Sequence, residues 1–152
     1  MNFVRRNDTM AIVGFAPNTR QLAPWNNPTV DLFGINEGYS FKWWKQKTEN
    51  VAGWFQLHKR ESFMRPDNHN DSGHSKWLRK KHNFPIFMQD VYSDIPSSVR
   101  FPIEDIVSNY GRYWRSTLAY IIAWAQLVGY KRLELYGFEM ASDSESWGQR
   151  AN

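Results

Sequence analysis

Residues 116–140, STLAYIIAWAQLVGYKRLELYGFEM, constrain the fold of this chain more than any other stretch. Ser116 or Thr117 can cap a helix by accepting from the orphan N–H groups of its first turn. Leu118, Ala119, Ile121, Ile122, Ala123, Trp124, Ala125, Leu127 and Val128 are apolar around most of the circumference, as suits a helix pressed on a sheet. Gly129 tolerates the left-handed conformation that ends many helices, and Lys131 and Arg132 sit just past that negative end. Leu133, Leu135 and Phe138 then carry a strand pattern, with Gly137 letting the backbone turn closely. A strand that follows a buried helix points to an open α/β sheet, where ligands bind at the carboxyl ends of the strands.

The same alternation runs through the rest of the chain. Residues 10–15, 30–36, 52–58 and 85–89 read as strands, and residues 39–48, 75–82 and 103–110 as helices. Residues 16–19 read as a turn, residues 21–28 as a loop or a ragged short helix, and residues 64–73 and 94–102, rich in Pro, Asn, Asp or Ser, as loops. Strands separated by helices require crossover connections, so the expected fold is a Rossmann-like three-layer α/β sandwich with a mostly parallel central sheet. At 152 residues the chain reads as one such domain, with a polar, flexible tail from about residue 142.

Composition narrows the function classes. With 41% hydrophobic and 16% aromatic residues the chain as a whole is not disordered. The absence of cysteine removes disulfides, thiolate metal sites and a cysteine nucleophile. No apolar run approaches the roughly 20 residues a membrane helix needs, and the first ten residues lack the apolar core of a signal peptide. A cytoplasmic protein without a membrane partner is therefore expected. The net charge of +4 permits nucleic acid as a partner but does not favour it. Lys76, Arg79, Lys80, Lys81 and His82 alternate with Trp77 and Leu78, which reads first as the solvated face of an amphipathic helix. Homo-oligomer formation is left open.

Several short segments carry candidate chemistry. Gly14, Pro17, Asn18 and Thr19 follow the first strand, where a glycine permits close approach and turn N–H groups with amide and hydroxyl side chains suit phosphate or ribose. Asn36 and Glu37 end the second strand. An amide offers both donor and acceptor to a base edge, and a carboxylate accepts from hydroxyls. Parallel strands would bring these two turns to one edge. His58, at the end of the third strand, is a candidate base on the same edge. His69, His74 and His82, with Asp67 and Asp71, fit no regular metal-ligand spacing, so no metal or other cofactor is called for. Ser62 lacks the setting of a nucleophile elbow. The tryptophans, including Trp43 and Trp44, read as core or interface anchors.

Three of these segments together resemble the sialyltransferases of glycosyltransferase family 42 and the related pterin-pyrophosphokinase-like Rossmann proteins. Gly14-Phe15-Ala16-Pro17-Asn18 stands where that family has Gly-Asn-Gly-Pro-Ser, and Ile35-Asn36-Glu37 where it has a Cys-Asn-Gln type motif. Ser116-Thr117-Leu118, Gly129-Tyr130-Lys131 and Gly137-Phe138-Glu139 follow its third signature in order. The resemblance implies a nucleotide or nucleotide-sugar ligand surrounded by Gly14, Pro17, Asn18, Asn36, Ser116, Thr117, Gly137 and Glu139, and group transfer from an activated nucleotide if the protein is an enzyme. Phe15 replaces an amide and Leu118 a glycine of that pattern. The family's catalytic histidine lies beyond its Gly-Ile-Asp, whereas this chain has no histidine after His82, so His58 or Glu139 would have to serve as base. The alternatives are a non-catalytic nucleotide-sensing or sequestering protein and a protein that acts on nucleic acid. The IVGFAPNT opening and YGFEMASD close also resemble small bacteriophage proteins.

Overall fold

The computed structural model describes residues 3–45, 50–64, 73–112 and 116–139. The expected tail from residue 142, and His69, Asp67 and Asp71, lie outside the described residues. In chain order the elements are β1 (Thr9–Val13), α1 (Pro17–Arg20), β2 (Val30–Ile35), a 3-10 turn at Gly38–Ser40, α2 (Lys42–Lys45) and β3 (Val51–Gln56). They continue with α3 (Arg60–Phe63), α4 (His74–Leu78), β4 (Ile86–Met88), β5 (Ser98–Arg100), α5 (Ile103–Tyr110), α6 (Thr117–Val128) and β6 (Arg132–Tyr136).

The six strands form one sheet in the order β5-β4-β3-β2-β1-β6, and every neighbouring pair is parallel. This is the Rossmann-like α/β sandwich that the helix–strand alternation implies. Each step from β1 to β5 moves one place in the same direction, and β6 then returns to the far side of β1. The strand order therefore reverses between β1 and β6.

Two apolar cores sit on the two faces of the sheet. Ala11, Leu32, Trp54, Ile86 and Met88 pack with Trp44, Phe63 and Leu78 of α2, α3 and α4. Met10, Ile12, Phe33, Phe55 and Phe87 pack with Ile106 of α5 and with Ile121 and Trp124 of α6. Every residue of β2 and β3 is buried, as a parallel sheet covered on both sides demands. Glycine makes room for the large rings. A Cβ on Gly34 would lie 2.2 Å from the Trp54 indole, so the absence of a side chain there lets that ring lie across β2.

Helix α6 follows the expected pattern closely. Ser116 is its N-cap, with Oγ accepting from the Ala119 N–H at 3.2 Å, and Gly129 ends it in the left-handed region at φ 88°. Beyond it the chain is tied to the amino edge of the sheet. Asp31, fully buried in β2, accepts from the Tyr130 hydroxyl at 2.7 Å, the Asn7 side chain at 2.8 Å and the Arg6 N–H at 2.9 Å. Lys131 pairs with Asp8 at 2.7 Å.

Other boundaries differ from expectation. The turn at residues 16–19 contains a one-turn helix, begun by Pro17 at a position that suits its missing N–H. β3 stops at Gln56, where its pairing with Met88 ends, so His58 lies beyond the strand. The helix expected over residues 39–48 is a 3-10 turn followed by α2, with residues 46–49 outside the described set. α4 ends at Leu78, and the chain turns before His82. Residues 94–102, expected as a loop, contain β5, a three-residue edge strand held by Ile86↔Ser98 and Met88↔Arg100.

Candidate functional site at the carboxyl edge

Because all six strands run parallel, their carboxyl ends share one edge. Gly14 follows β1, Asn36 follows β2, Leu57 follows β3, Gln89 follows β4, Phe101 follows β5 and Gly137 follows β6. The sequence-predicted turns at residues 14–19 and 137–139 meet directly. The Gly14 N–H donates to the Tyr136 carbonyl at 2.7 Å, and the Ala16 N–H to the Gly137 carbonyl at 2.8 Å. The Gly137 N–H donates to the Thr19 hydroxyl at 2.8 Å. A Cβ on Gly14 would sit 2.5 Å from the Gly137 oxygen, so both glycines are needed for this approach. The two turns thus close the crevice between β1 and β6 with backbone, and Thr19 is committed to that closure. Asn18 turns its Oδ1 to the Thr19 N–H at 2.8 Å and is otherwise exposed.

Arg20, the last residue of α1, stands beside this closure. Its Nη1 donates to the Phe15 carbonyl at 2.7 Å, and its guanidinium lies 4.9 Å from the centre of the Trp43 ring. No carboxylate pairs with it among the described residues, which leaves a half-buried cation with spare donors at the carboxyl edge.

One strand away, Asn36 has an unusual backbone at φ 44°. Asparagine tolerates this region better than most residues. Its N–H donates to the Phe55 carbonyl, and its own carbonyl accepts from the Trp54 indole N–H, both at 2.9 Å. With Ile35 paired to Phe55, Asn36 stands next in register to Gln56. The Asn36 Oδ1 is buried and has no hydrogen-bond partner among the described residues. Gln56 is 0% exposed, and among the described residues neither its Nε2 nor its Oε1 has one either. Two neighbouring amides at the ends of the central strands therefore hold unmet hydrogen-bonding capacity. Native proteins leave few such groups.

Glu37 and His74 lie at the same end. His74 is 2% exposed, with Nδ1 3.2 Å from the Tyr39 hydroxyl and Nε2 3.8 Å from the half-exposed Glu37 carboxylate. Its ring stacks on Tyr39. Neither Gln56 nor His74 belongs to a motif that the sequence displays. Gln56 reads as the polar tail of a strand, and His74 as one histidine of an irregular group.

The remaining sequence-predicted residues are placed as follows. Pro17 begins α1, and Ser116 and Thr117 open α6 at this edge, Ser116 as its cap. His58 and Glu139 are both exposed, on the turns after β3 and β6. A hollow of about 360 Å³ also opens at the carboxyl edge between α5 and α6, lined by Leu57, Gln89, Phe101, Ile103 and Tyr120. None of the residues singled out from sequence lines it. Among the described residues no three His, Asp or Glu side chains converge as metal ligands, and no helix is long and apolar enough to cross a membrane.

Comparisons with protein-family models, with curated proteins and with solved structures gave no match.

Proposed function

We propose that this protein binds a nucleotide or nucleotide sugar at the carboxyl edge of its sheet, over the ends of β1, β2 and β3. The observation that carries this reading is that the Asn36 Oδ1 and both polar atoms of the Gln56 amide are buried without a hydrogen-bond partner among the described residues. A purine or pyrimidine edge offers alternating donors and acceptors, the complement of a carboxamide. An unmet buried amide costs about 1–3 kcal/mol, which a ligand that pairs with it recovers on binding. Arg20 supplies the positive charge a phosphate requires. The place also agrees with the tendency of open α/β sheets to bind ligands at the carboxyl ends of their strands, here one strand away from the closed crevice where the strand order reverses. The resemblance of the strand-end segments to nucleotide-sugar transferases adds support from sequence.

Group transfer from the bound nucleotide is the catalytic form of this proposal, with His58 or Glu139 as base. A sensing or sequestering role is its non-catalytic form, and turnover of a nucleotide sugar separates the two. The binding test is a thermal-shift and calorimetric screen with nucleoside mono- and diphosphates and nucleotide sugars. A ligand at one hundred times its dissociation constant stabilises the fold by about 2.7 kcal/mol and raises the melting temperature. Asn36→Gly keeps the backbone conformation while removing the amide, and is expected to abolish that rise. A screen without any shift, or a shift untouched by Asn36→Gly and Gln56→Leu, overturns the assignment.

A further inference from the structure

A second polar and aromatic assembly lies away from the carboxyl edge, around the turn that joins α4 to β4. A hollow of about 430 Å³ opens there, walled by the rings of Tyr39, Trp54, Trp77 and Phe84. The rings are mutually braced. Trp77 stacks on Tyr39 with centroids 4.1 Å apart and planes 4° from parallel, and His82 stacks on Phe84 at 5.1 Å. Such a wall is rigid before anything binds, so little side-chain freedom remains to be lost on association.

The polar groups at the hollow have definite roles. His82 Nε2 lies 2.8 Å from the Trp77 carbonyl, which can only accept, so Nε2 carries the proton. In the neutral ring Nδ1 is then left as an acceptor. Burial holds the His82 pKa below its usual value, which keeps the ring neutral at pH 7. Asn83 is exposed at the same hollow, and its amide has no partner within the described residues. Lys81 lines the hollow, and Lys76 and Lys80 are exposed nearby on α4 and the turn after it. None of the three ammonium groups has an acidic partner within the described residues, whereas neighbouring Arg79 is paired with Asp94 at 3.2 Å.

We infer that this face binds single-stranded nucleic acid, with one unpaired base entering the aromatic hollow and Lys76, Lys80 and Lys81 following the phosphates. The charge selects a polyanion. The ring-lined hollow selects one whose bases are free to leave the stack, as those of a single strand are and those of a duplex are not. His82 and Asn83 line the hollow, and their Nδ1 acceptor and amide are the groups assigned to the edge of the inserted base. The hollow shares the Trp54 and Tyr39 rings with the surroundings of Asn36 and His74, but its polar groups, His82, Asn83 and the three lysines, are not those of the nucleotide site proposed above.

The test is fluorescence anisotropy of labelled fifteen-nucleotide dT and rU strands with the full chain, at 50 to 200 mM salt. Binding is expected to weaken linearly in a log–log plot against salt, each phosphate contact contributing about 0.7 to the slope. The double variant Lys80→Ala/Lys81→Ala alters only exposed side chains, and is expected to reduce affinity at least tenfold at 50 mM salt and flatten the slope by about 1.4. Asn83→Ala and Phe84→Leu, each checked for an unchanged melting temperature, are expected to weaken binding with the slope preserved. A blunt duplex of equal length is expected to compete poorly. The inference is overturned if neither strand binds at 50 mM salt, if the double-lysine variant keeps the parent slope, or if the duplex competes as well as the single strand. Displacement of the strand by equimolar free mononucleotide also overturns it, since that would make the hollow a mononucleotide pocket.

Discussion

Tyr130 and Asp31, 99 positions apart in the chain, meet through a 2.7 Å hydrogen bond that joins the end of α6 to the interior of β2. The phenol donates and the buried carboxylate accepts. Burial, then the bond to Asp31, push the Tyr130 pKa well above its usual value of 10.0. A group whose pKa is raised on folding adds stability that is fully present below its unfolded pKa and is lost only as pH rises through the folded one. The bond is therefore intact through neutral pH up to the usual tyrosine range. Tyr130→Phe is expected to cost about 1.5 kcal/mol in urea denaturation at pH 7, because Asp31 keeps its bonds to Asn7 and Arg6. In an ultraviolet titration of the parent protein, Tyr92 and Tyr136 should also ionise above the usual value, and Tyr130, the most strongly shifted of the three, should be the last of them. Ionisation of every tyrosine at its ordinary pH would contradict this placement of Tyr130.

The closure between Gly14 and Gly137 yields a second prediction. Gly137 has φ 72°, and a Cβ there would lie 2.7 Å from the Gly14 oxygen. Gly137→Ala therefore combines left-handed strain with overpacking against backbone that has no rotamer to yield. A loss of about 2–4 kcal/mol is expected. Thr19→Val tests the side-chain half of the same contact, since it leaves the Gly137 N–H without its acceptor and should cost about 1–3 kcal/mol. Thermal denaturation of the two variants measures both effects, and a parent-like melting temperature for Gly137→Ala would refute the close approach.

How far the sequence foretells this structure depends on the range of the forces involved. α6 is legible because capping by Ser116, apolar periodicity and a terminal glycine act within a few residues. The turns after β1, β2 and β6 are legible for a similar reason, since Gly14, Asn36 and Gly137 announce unusual backbone. β5 is not, because Ser98-Val99-Arg100 has no strand pattern and is a strand only through its bonds to β4. Local composition puts His58 at the end of the third strand, but the pairing of β3 with β4 ends at Gln56 and Met88. The least legible features are Gln56 and His74. Their significance lies in being polar and buried, and burial is set by chain segments far away in sequence.

Arg60, Asp94 and Arg79 provide a pH-dependent test on the opposite face from α6. Arg60 grips Asp94 in a two-pronged pair at 2.8 and 2.9 Å, and Arg79 adds a third contact at 3.2 Å. Chiefly through Arg60, the Asp94 pKa is lowered from 3.8 to about 2. The folded pKa lies below the unfolded one, so the stabilisation is complete above the usual carboxylate range and is lost as pH falls through about 2. All three side chains are at least a third exposed, so solvent screening reduces the contribution to about 0.5–1 kcal/mol. Asp94→Asn is expected to lose that amount at pH 7 in low salt and less in high salt. Its stability should converge with that of the parent between pH 4 and 2, as followed by denaturation at each pH.

Gln56 gives the prediction that couples fold to function most directly. A fully buried amide with two unpartnered atoms destabilises the protein that carries it. Leucine has a similar size and no polar atoms, and Gln56 is the register partner of apolar Met88. Gln56→Leu is therefore expected to leave the unliganded protein as stable as the parent, or more stable by about 1 kcal/mol. Under the proposed function, the same change should remove the nucleotide-induced rise in melting temperature, because the amide proposed to read the base is gone. Retention of glutamine at this cost to the fold is then explained by binding. Gln56→Glu serves as a contrast, since a buried unpaired carboxylate should destabilise the fold by several kcal/mol or shift its pKa upward. Urea denaturation without nucleotide and thermal shift with it measure the two halves separately. If leucine instead costs more than about 1 kcal/mol while nucleotide binding persists, the amide serves the fold through an internal water, and the recognition role passes to Asn36 alone.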